Sequence, residues 1–411
     1  MKVRARKPAQ ETWIPRAGHE LKLLEGSREY FSALVAAIDA AVRQVMLETY
    51  IFDFTGAAAE VAYALERAAR RGAMVRVIVD GYGTEPLPAV WQERFVGAGV
   101  EWRVYEPLGR WGLLWPGSWR RLHHKLCVVD EAVAFCGGIN ILDDFHDPNH
   151  GPLDAPRFDF AVQVRGPLVA QAHATMARQW LRMKAAADIR HARLAGAFES
   201  YRAARSTAQA GEPALRTGSH SRAALVLRDN LRNRARIERA YRRAIGRARE
   251  EVIIANAYFV PGAKMRRALI SAARRGVRVR LLVQGRYEYF MQYYASRPVY
   301  GALLRAGVEI HEYAASFLHA KVAVVDGHWA TVGSSNLDPL SLLLAREANV
   351  VIEDRDFAAQ LAARLHEAMA KGGRIMDADE YARRPLHERI MERLALVIMR
   401  VLLVIQGKKY L

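Results

Sequence analysis

An internal repeat constrains this chain more than any other feature of its sequence. The segment LERAARRGAMVRVIVDG (65–81) matches LISAARRGVRVRLLVQG (269–285), and AGVEWRVYE (98–106) matches AGVEIHEYA (306–314). HHKLCVVD followed by GGIN in the first copy likewise matches HAKVAVVD followed by GSSN in the second. Because duplicated units place equivalent side chains at related positions, the repeat predicts two similar halves.

The alternation of helical and strand-like segments within each copy predicts the fold class. A helical run ending at Gly72 or Gly276, each a candidate C-cap, precedes an apolar strand. Earlier apolar strands at 45–52 and 252–260 each follow an Ala-rich amphipathic helix. We therefore expect an α/β protein of two pseudo-twofold-related halves, each a mixed, mainly parallel sheet flanked by helices.

The length of 411 residues accommodates two such halves with additional segments. The stretch at 201–222 is small, polar and turn-rich, which is typical of a linker. The expected division is an N-terminal extension (1–18), a first half (19–185), a linker (186–220), a second half (221–370) and a C-terminal amphipathic tail (371–411).

The charge balance indicates a polyanionic partner. Lys and Arg outnumber Asp and Glu by 61 to 43, for a formal net charge of +18, which suits either nucleic acid or an anionic lipid surface. Cys127 and Cys136 lie in apolar strand-like runs and are expected to be buried thiols without a disulfide. The start of the chain lacks a secretory signal and no run reaches about 18 apolar residues, so we expect a cytosolic active portion.

Six residues recur at matching positions of the two copies. The candidate catalytic set is His123, Lys125, Asp130, His319, Lys321 and Asp326. In a strand, residues i and i+2 face the same side, so each histidine shares a face with the lysine of its own copy. The aspartate follows seven residues after the histidine, which on an unbroken strand turns it away from the imidazole. A structural ion pair or a turn cap is therefore expected of each aspartate, and not the role of a base.

Small and polar residues follow each motif at a fixed interval and predict a phosphate-binding element. GGIN supplies Asn140, and GSSN supplies Ser334 and Asn336. Small residues let the backbone approach a ligand, while amide and hydroxyl groups donate hydrogen bonds to anionic oxygens. If the halves meet about a pseudo-twofold axis, two histidines, two lysines and two asparagines converge on one cavity that suits a phosphodiester.

Phosphodiester exchange needs a nucleophile, a proton for the leaving oxygen and cations around the non-bridging oxygens. The paired motif supplies each of these, so no metal and no cofactor is expected. One imidazole attacks while the other, protonated, acts as acid. An acceptor then attacks the phosphohistidine, with the acid histidine now acting as base, which explains why two histidines are present.

The paired His-x-Lys-x4-Asp-x6-Gly-Gly/Ser-x-Asn pattern resembles that of the phospholipase D superfamily. The segments at 226–262 and 331–352 are similar to the short bacterial cardiolipin synthases of the B type. The resemblance implies a phosphatidyltransferase that converts phosphatidylglycerol to cardiolipin and glycerol through a phosphatidyl-histidine intermediate. Two alternatives stay open: a phosphodiesterase that hydrolyses phospholipid or nucleic acid, and a non-catalytic basic adaptor for membrane or nucleic acid.

The resemblance also implies roles for individual residues. His123 is the implied nucleophile and His319 the implied acid and base, while Glu347 and Asp159 stand where the family orients its histidines. Two positions depart from the family pattern. Ala replaces a common Asn two residues before Glu347, and Gly138 stands where the second copy has Ser, so the first phosphate pocket is expected to have one donor fewer.

Two stretches favour a membrane over nucleic acid as the partner. An insertion in the first copy and the C-terminal tail each combine apolar and basic residues. The candidate membrane contacts are Trp111, Trp115, Trp119, Arg389, Arg393 and Arg400. We expect peripheral attachment to an anionic membrane surface at the cytoplasmic face, with nucleic acid disfavoured. An insertion packed on the protein and a tail docked on the core are the alternatives, and the sequence leaves the oligomeric state open.

Two further segments carry weaker signals. GRYEYFMQYYASRPVY (285–300) follows a predicted strand end, where ligands bind in α/β sheets, so its Tyr and Arg residues are candidates for lining a lipid entrance. An aromatic roof over the core is the alternative. DDFHDPNH (143–150) has a metal-like composition, but Pro148 spoils the helical facing of His146 and His150, so an ordinary loop is expected.

Overall fold

The computed structural model describes residues 14–107, 120–147, 150–190, 196, 199–200, 203, 221–229, 233, 235–286, 290–338 and 345–405. Strands of the first half are β1 (Glu20–Glu25), β2 (Gln44–Thr49), β3 (Met74–Asp80), β4 (Glu101–Tyr105), β5 (Arg121–Leu122), β6 (Leu126–Val129), β7 (Val133–Gly137), β8 (His146–Asp147), β9 (Gly151–Pro152) and β10 (Phe160–Arg165). Its helices are α1 (Gly26–Asp39), α2 (Ala59–Arg70), α3 (Ala89–Ala98) and α4 (Leu168–Arg190).

The second half repeats this order. Its strands are β11 (Arg222–Arg228), β12 (Glu251–Asn256), β13 (Arg278–Gln284), β14 (Glu309–Tyr313), β15 (Lys321–Val325), β16 (Trp329–Gly333), β17 (Ala345–Glu353) and β18 (Gly373–Ile375). The helices that follow β11 are α5 (Arg236–Arg247), α6 (Ala263–Arg274), α7 (Phe290–Leu304), α8 (Arg355–Gly372), α9 (Ala378–Ala382) and α10 (Leu386–Ile405).

Each half forms a mixed sheet flanked by helices, which confirms the α/β class. The strand orders are β1-β10-β7-β6-β2-β3-β4 and β11-β17-β16-β15-β12-β13-β14-β18. Parallel pairing joins β2, β3 and β4 and also β12, β13 and β14, whereas the other neighbours in these two orders are antiparallel. Parallel pairing is thus less extensive than predicted. The short turn at 130–132 and its counterpart account for the antiparallel β6–β7 and β15–β16 pairs, because strands joined by so short a turn can pair only in the antiparallel sense.

One apolar core joins the two halves. The first sheet contributes Met46 and Val128 to it, the second contributes Val322 and Val350, and α4 adds the buried ring of Trp180. Two further cores lie on the outer faces, beneath α1 to α3 in the first half and beneath α5 to α7 in the second. Because burial of apolar area is the main favourable term in folding, the central core holds the two sheets together.

Short backbone pairings carry each motif histidine into contact with the other half. β5 pairs in parallel with β17, and the N–H of His123 donates to the carbonyl of Arg346 at 3.0 Å. In the other direction, Phe158 forms a parallel bridge with Leu318, and the N–H of His319 donates to the carbonyl of Phe158 at 2.9 Å. The motif strands of both halves therefore meet at one junction.

The predicted buried thiols and helix ends are observed. Cys127 and Cys136 are buried and free. Gly72 and Gly276 follow α2 and α6 with φ of 93° and 89°, and each N–H donates back to a carbonyl of its helix. Glycine adopts this left-handed conformation at no steric cost, so the chain can turn sharply into β3 and β13.

α10 packs on α7 through one of its sides. Ala395 and Leu396 join the outer core of the second half, and buried Glu392 pairs with Arg384. One side of the predicted tail therefore docks on the protein. Within the described ranges, no helix combines the length and the apolar character that crossing a membrane requires.

The motif aspartates lie at the far ends of β6 and β15 from the histidines. Each accepts three hydrogen bonds from the backbone that leads into β2 or β12. The donors are the N–H groups of Val42, Arg43 and Gln44 for Asp130 and those of Arg249, Glu250 and Glu251 for Asp326, at distances of 2.7 to 2.9 Å. Burial tends to raise the pKa of both carboxyls, but the backbone donors outweigh it and lower the pKa. Both aspartates cap turns, which corrects their place in the candidate catalytic set.

Replacing Asp326 with Asn should lower the stability of the fold. The left-handed backbone at this position (φ 49°) tolerates Asn, but the neutral amide loses charge-assisted hydrogen bonds from the start of β12. We expect the free energy of unfolding, measured by urea titration at neutral pH, to fall by about 1–3 kcal/mol. Because the folded-state pKa is lowered, the difference from the unsubstituted protein should shrink as the pH falls through that pKa.

Asp39→Asn provides the matched control. It removes an exposed ion pair between Asp39 and Arg67 at 2.8 Å, and such pairs contribute about 0–1 kcal/mol. Equal losses of stability in the two variants would contradict the capping role of Asp326.

Candidate active site

Each motif histidine is held by a carboxylate of the opposite half. Nδ1 of His123 lies 3.0 Å from Oε2 of Glu347, and Nδ1 of His319 lies 2.6 Å from Oδ2 of Asp159. Both carboxylates are buried, at 0% and 2% exposure. A carboxylate on Nδ1 fixes the orientation of the ring and leaves Nε2 for chemistry. The two orienting contacts implied by the family resemblance are thus present, and each crosses between the halves.

The two lysines complete a shared cationic cavity. Lys125 and Lys321 are buried at the start of β6 and β15, and each Nζ donates to the carbonyl of the histidine two residues earlier. Nζ of Lys321 also lies 4.0 Å from the carboxylate of Asp159. Burial lowers the pKa of Lys125 to about 7; Glu347 of the other half raises it, and the charge of Lys321 lowers it again. Each half therefore acts electrostatically on the residues of the other.

Burial also keeps both imidazoles neutral in the free site. It lowers the pKa of His123 to about 4 against the opposing effect of Glu347, and it lowers the pKa of His319 well below its usual value with help from Lys321 and Lys125. A neutral imidazole is a nucleophile, so either ring can attack. Acid catalysis requires that one ring gain a proton, which an anionic ligand between the two lysines would favour.

The two carboxylates have different surroundings. Glu347 accepts a hydrogen bond from the hydroxyl of Ser334 at 2.5 Å; burial raises its pKa, but the contacts with His123 and the charges of Arg228 and Lys125 lower it overall. Burial raises the pKa of Asp159 to about 6, although the charge of Lys321 opposes this. Glu347 therefore has the lower pKa of the two carboxyl groups.

The residue types at positions 138 and 334 suit the different side-chain lengths of Asp159 and Glu347. A Cβ at Gly138 would collide with the carboxylate of Asp159, whereas at the equivalent position Ser334 fits and donates to the longer Glu347. The departure of Gly138 from the second copy is therefore a steric consequence of Asp159. The same contact corrects the expectation for Ser334, whose hydroxyl is directed at a carboxylate and not at an open phosphate position.

The motif asparagines retain donors for a ligand. Oδ1 of Asn140 accepts from the N–H of Ile51 at 3.2 Å, and within the described part of the chain its Nδ2 has no partner. Asn336 is 3% exposed and makes no side-chain hydrogen bond to a described residue. The Nδ2 groups of both amides therefore keep N–H donors that suit the oxygens of a bound anion.

Two contributors to the site were not predicted. The ring of Tyr50 lies 4.9 Å from the imidazole of His123, with Nζ of Lys125 at 5.3 Å from the ring centroid. Buried Arg228 donates to the carbonyl of Ala345 at 2.9 Å. The sequence signal for Tyr50 is its departure from the repeat, since the second copy has Ala at the equivalent position 257.

The candidate membrane contacts are spread over different parts of the chain. Trp111, Trp115 and Trp119 lie outside the described residues, as does the side chain of Arg400. Arg389 and Arg393 are exposed on α10. In the loop at 143–150, Asp144 accepts from the N–H of Ser27 and Asp147 pairs with Arg157, and no metal-ligand cluster occurs among the residues the structure describes.

Two sheets that share one paired histidine–lysine cavity define a phospholipase D-like fold. A family model described as cardiolipin synthase, PLD-like domain, matches residues 34–150 and 241–369. Cardiolipin synthase B of Escherichia coli (strain K12) is 38% identical over 364 residues, covering 86% of this chain and 81% of the relative. Cardiolipin synthase A of Erwinia tasmaniensis is 31% identical over 384 residues, covering 92% and 74%. The chain belongs to the phospholipase D-like cardiolipin synthase family.

Solved structures agree with this fold. A phosphatidylserine synthase from Haemophilus influenzae Rd KW20 superimposes with a TM-score of 0.65 over 95% of both chains, at 13% sequence identity. A polyphosphate kinase from Porphyromonas gingivalis superimposes with a TM-score of 0.53 over 88% of this chain and 49% of the kinase, at 15% identity. At these identities the likeness shows the arrangement of the two halves.

The pairing of Gly138 with Asp159 can be tested by exchange. Gly138→Ser should lower kcat/KM for a chromogenic phosphodiester by about 10- to 100-fold, because the added side chain displaces Asp159 and misplaces His319. The double variant Gly138→Ser/Asp159→Glu recreates the geometry of the second half and should recover part of the loss. A double variant no better than the single one would show that the two positions are not matched.

Proposed function

We propose that this protein transfers a phosphatidyl group from one phosphatidylglycerol to a hydroxyl of another, giving cardiolipin and glycerol. The observation that carries the proposal is the tie between each motif histidine and a buried carboxylate of the opposite half, beside two buried lysines. The identities of 38% and 31% with cardiolipin synthases B and A support the choice of lipid.

In the first step, Nε2 of His123 attacks the phosphorus of the donor lipid and the P–O bond to the headgroup glycerol breaks. His319, protonated, gives its proton to the leaving oxygen. Glu347 orients the attacking ring and stabilises the positive charge that develops on it as the P–N bond forms. Lys125 and Lys321 offset the negative charge of the non-bridging oxygens.

The bound lipid itself prepares the acid. Its phosphodiester is an anion, and its charge offsets the two ammonium groups that contribute to lowering the pKa of His319 in the free site. Substrate binding therefore favours the protonated form of His319. Asp159, at 2.6 Å from Nδ1, holds that ring so that Nε2 faces the leaving oxygen.

In the second step the phosphatidyl-histidine is transferred. A hydroxyl of the second phosphatidylglycerol loses its proton to Nε2 of His319 and attacks the phosphorus. The P–N bond breaks, which releases cardiolipin and restores neutral His123. His319 regains the proton it gave away in the first step, so the cycle is closed without any further reactant.

One assay tests the function. The purified protein is incubated with labelled phosphatidylglycerol vesicles and excess EDTA and, separately, with single-stranded DNA. Cardiolipin with free glycerol is expected. Phosphatidic acid alone would show a hydrolase, and a shortened oligonucleotide would show a nuclease. His123→Ala and His319→Ala should each lose about 10³-fold or more of turnover, because nucleophile and acid act as a unit. Exposed His328→Ala is the matched control and should keep its activity.

Attachment to an anionic membrane surface is part of the proposal. The side of α10 away from α7 exposes six apolar residues, here called the α10 surface: Leu386, Ile390, Met391, Leu394, Val397 and Ile398. Exposed Arg389 and Arg393 border this surface. An apolar stripe flanked by arginines is typical of a helix that lies in the interface of an anionic leaflet. This arrangement supports a peripheral enzyme at the cytoplasmic face of the cell membrane.

Introducing acidic residues into the α10 surface tests this attachment. Leu394→Glu/Val397→Glu should weaken sedimentation with anionic vesicles by about tenfold or more, because the apolar surface can no longer enter the interface. Activity in detergent micelles should be retained. Val96→Glu alters an exposed apolar residue of α3 and should leave vesicle binding unchanged. Equal vesicle binding by all these proteins would rule out the α10 surface as the anchor.

A further inference from the structure

A guanidinium–aromatic pair lies next to the segment that precedes each catalytic histidine. The position that holds the arginine in one half holds the aromatic residue in the other. In the first half Cζ of Arg121 lies 5.6 Å from the ring centroid of Tyr82. In the second half Cζ of Arg286 lies 5.8 Å from the ring centroid of Phe317. The repeat aligns Arg121 with Phe317 and Tyr82 with Arg286, so each half places one cation and one ring at the same location.

The last residues of β3 and β13 fix these locations beside the histidines. The carboxylate of Asp80 accepts from the N–H of Leu122 at 2.7 Å, and the side-chain oxygen of Gln284 accepts from the N–H of Leu318 at 3.2 Å. Leu122 and Leu318 directly precede the catalytic histidines. Both cation–aromatic pairs therefore lie at the carboxyl ends of parallel strands, where α/β sheets bind their ligands.

The two halves differ in how the cation is compensated. Arg121 lies 3.3 Å from the buried carboxylate of Asp80, which balances its charge. The equivalent of Asp80 is neutral Gln284, and the guanidinium of Arg286 donates to two backbone carbonyls, at Ala314 and Ala315, both at 2.8 Å. Within the described ranges, Arg286 has no carboxylate partner. Of the two cation–aromatic pairs, the one beside His319 is therefore the one whose guanidinium has no carboxylate partner among the described residues.

We propose that Arg286, held over Phe317, binds the phosphodiester that the acceptor lipid retains. This inference rests on the proposed function and names the acceptor subsite of the same cavity. The attacking hydroxyl of the acceptor must reach Nε2 of His319, and only a glycerol unit separates that hydroxyl from the acceptor's own phosphate. The phosphate must therefore lie within a glycerol length of His319, and Phe317 is two residues away on the same segment.

The local contacts suit an anion at this position. The ring of Phe317 is buried and also stacks with His150, at 5.2 Å between centroids and an interplanar angle of 27°. The ring is thus fixed, and it limits the positions that the guanidinium can adopt. Arginine has five N–H donors in a planar fork, so donors remain for phosphate oxygens after the two carbonyls are satisfied. The glycerol that leaves the donor lipid is uncharged and does not need this cation.

The experiment measures how the phosphatidyl-enzyme partitions between two acceptors. Phosphatidylglycerol in detergent micelles is supplied with labelled free glycerol, so that transfer to lipid gives cardiolipin and transfer to glycerol gives labelled phosphatidylglycerol. Arg286→Gln should lower the ratio of cardiolipin to labelled lipid by about tenfold or more, because a hydrogen-bonded charge pair with the acceptor phosphate is lost. The rate of glycerol exchange should stay within about twofold.

Two further variants sharpen the result. Arg286→Lys keeps the charge without the planar fork and should fall between the parent protein and Arg286→Gln. Arg278→Gln, at the start of the strand β13 that leads to Arg286, removes an exposed arginine paired with Glu309 at 2.9 Å and should leave the ratio unchanged.

Each outcome decides the question. An unchanged ratio in Arg286→Gln, while the parent protein makes cardiolipin, would overturn the acceptor subsite. An equal loss of both reactions would also overturn it, because Arg286 would then serve the common first step or the fold. Absence of cardiolipin from the parent protein would instead defeat the proposed function itself.

Discussion

The exchange of carboxylates between the halves is the interaction on which the rest of the structure depends. Glu347 reaches His123 and Asp159 reaches His319, and neither contact can form unless both sheets are in register at the junction. The pairing of β5 with β17 and the bridge at Phe158 provide that register, and the central apolar core maintains it. The orientation of the two imidazoles therefore depends on correct packing of both halves.

The halves repeat a backbone while their charges differ. Glu347 accepts a hydrogen bond from the hydroxyl of Ser334 and has a lowered pKa. Asp159 lies against Gly138 and has a raised pKa. Burial of both sites in one cavity then allows the two imidazoles to perform unlike roles, since neighbouring charges set which ring holds a proton. Arg121 and Arg286 also differ in their surroundings, since Arg121 pairs with the carboxylate of Asp80 whereas Arg286 donates to backbone carbonyls. A two-step transfer needs such a difference, because one histidine must act as nucleophile while the other acts as acid and then as base.

The motifs, the two-half organisation and the mixed α/β class could be predicted because they are local patterns that the repeat displays twice. Strand periodicity turned Asp130 away from the imidazole and left an ion pair or a turn cap as its role, and the structure has the turn cap. His123 and Lys125 themselves lie between β5 and β6, outside both strands. Contacts between distant segments could not be read in this way. The donation from Ser334 to Glu347 depends on a side-chain length that no single segment reveals. The sheet pairings were also less parallel than helix–strand alternation suggested, since tight turns outweigh that pattern locally.

The central core has a consequence for how such a molecule could arise. A polypeptide with one copy of the repeat would leave the inner face of its sheet in water, and self-association of two identical copies is the simplest way to cover it. Joining the copies covalently removes the dependence of that association on concentration. It also lets one copy change without the other, which identical subunits encoded by a single gene cannot do.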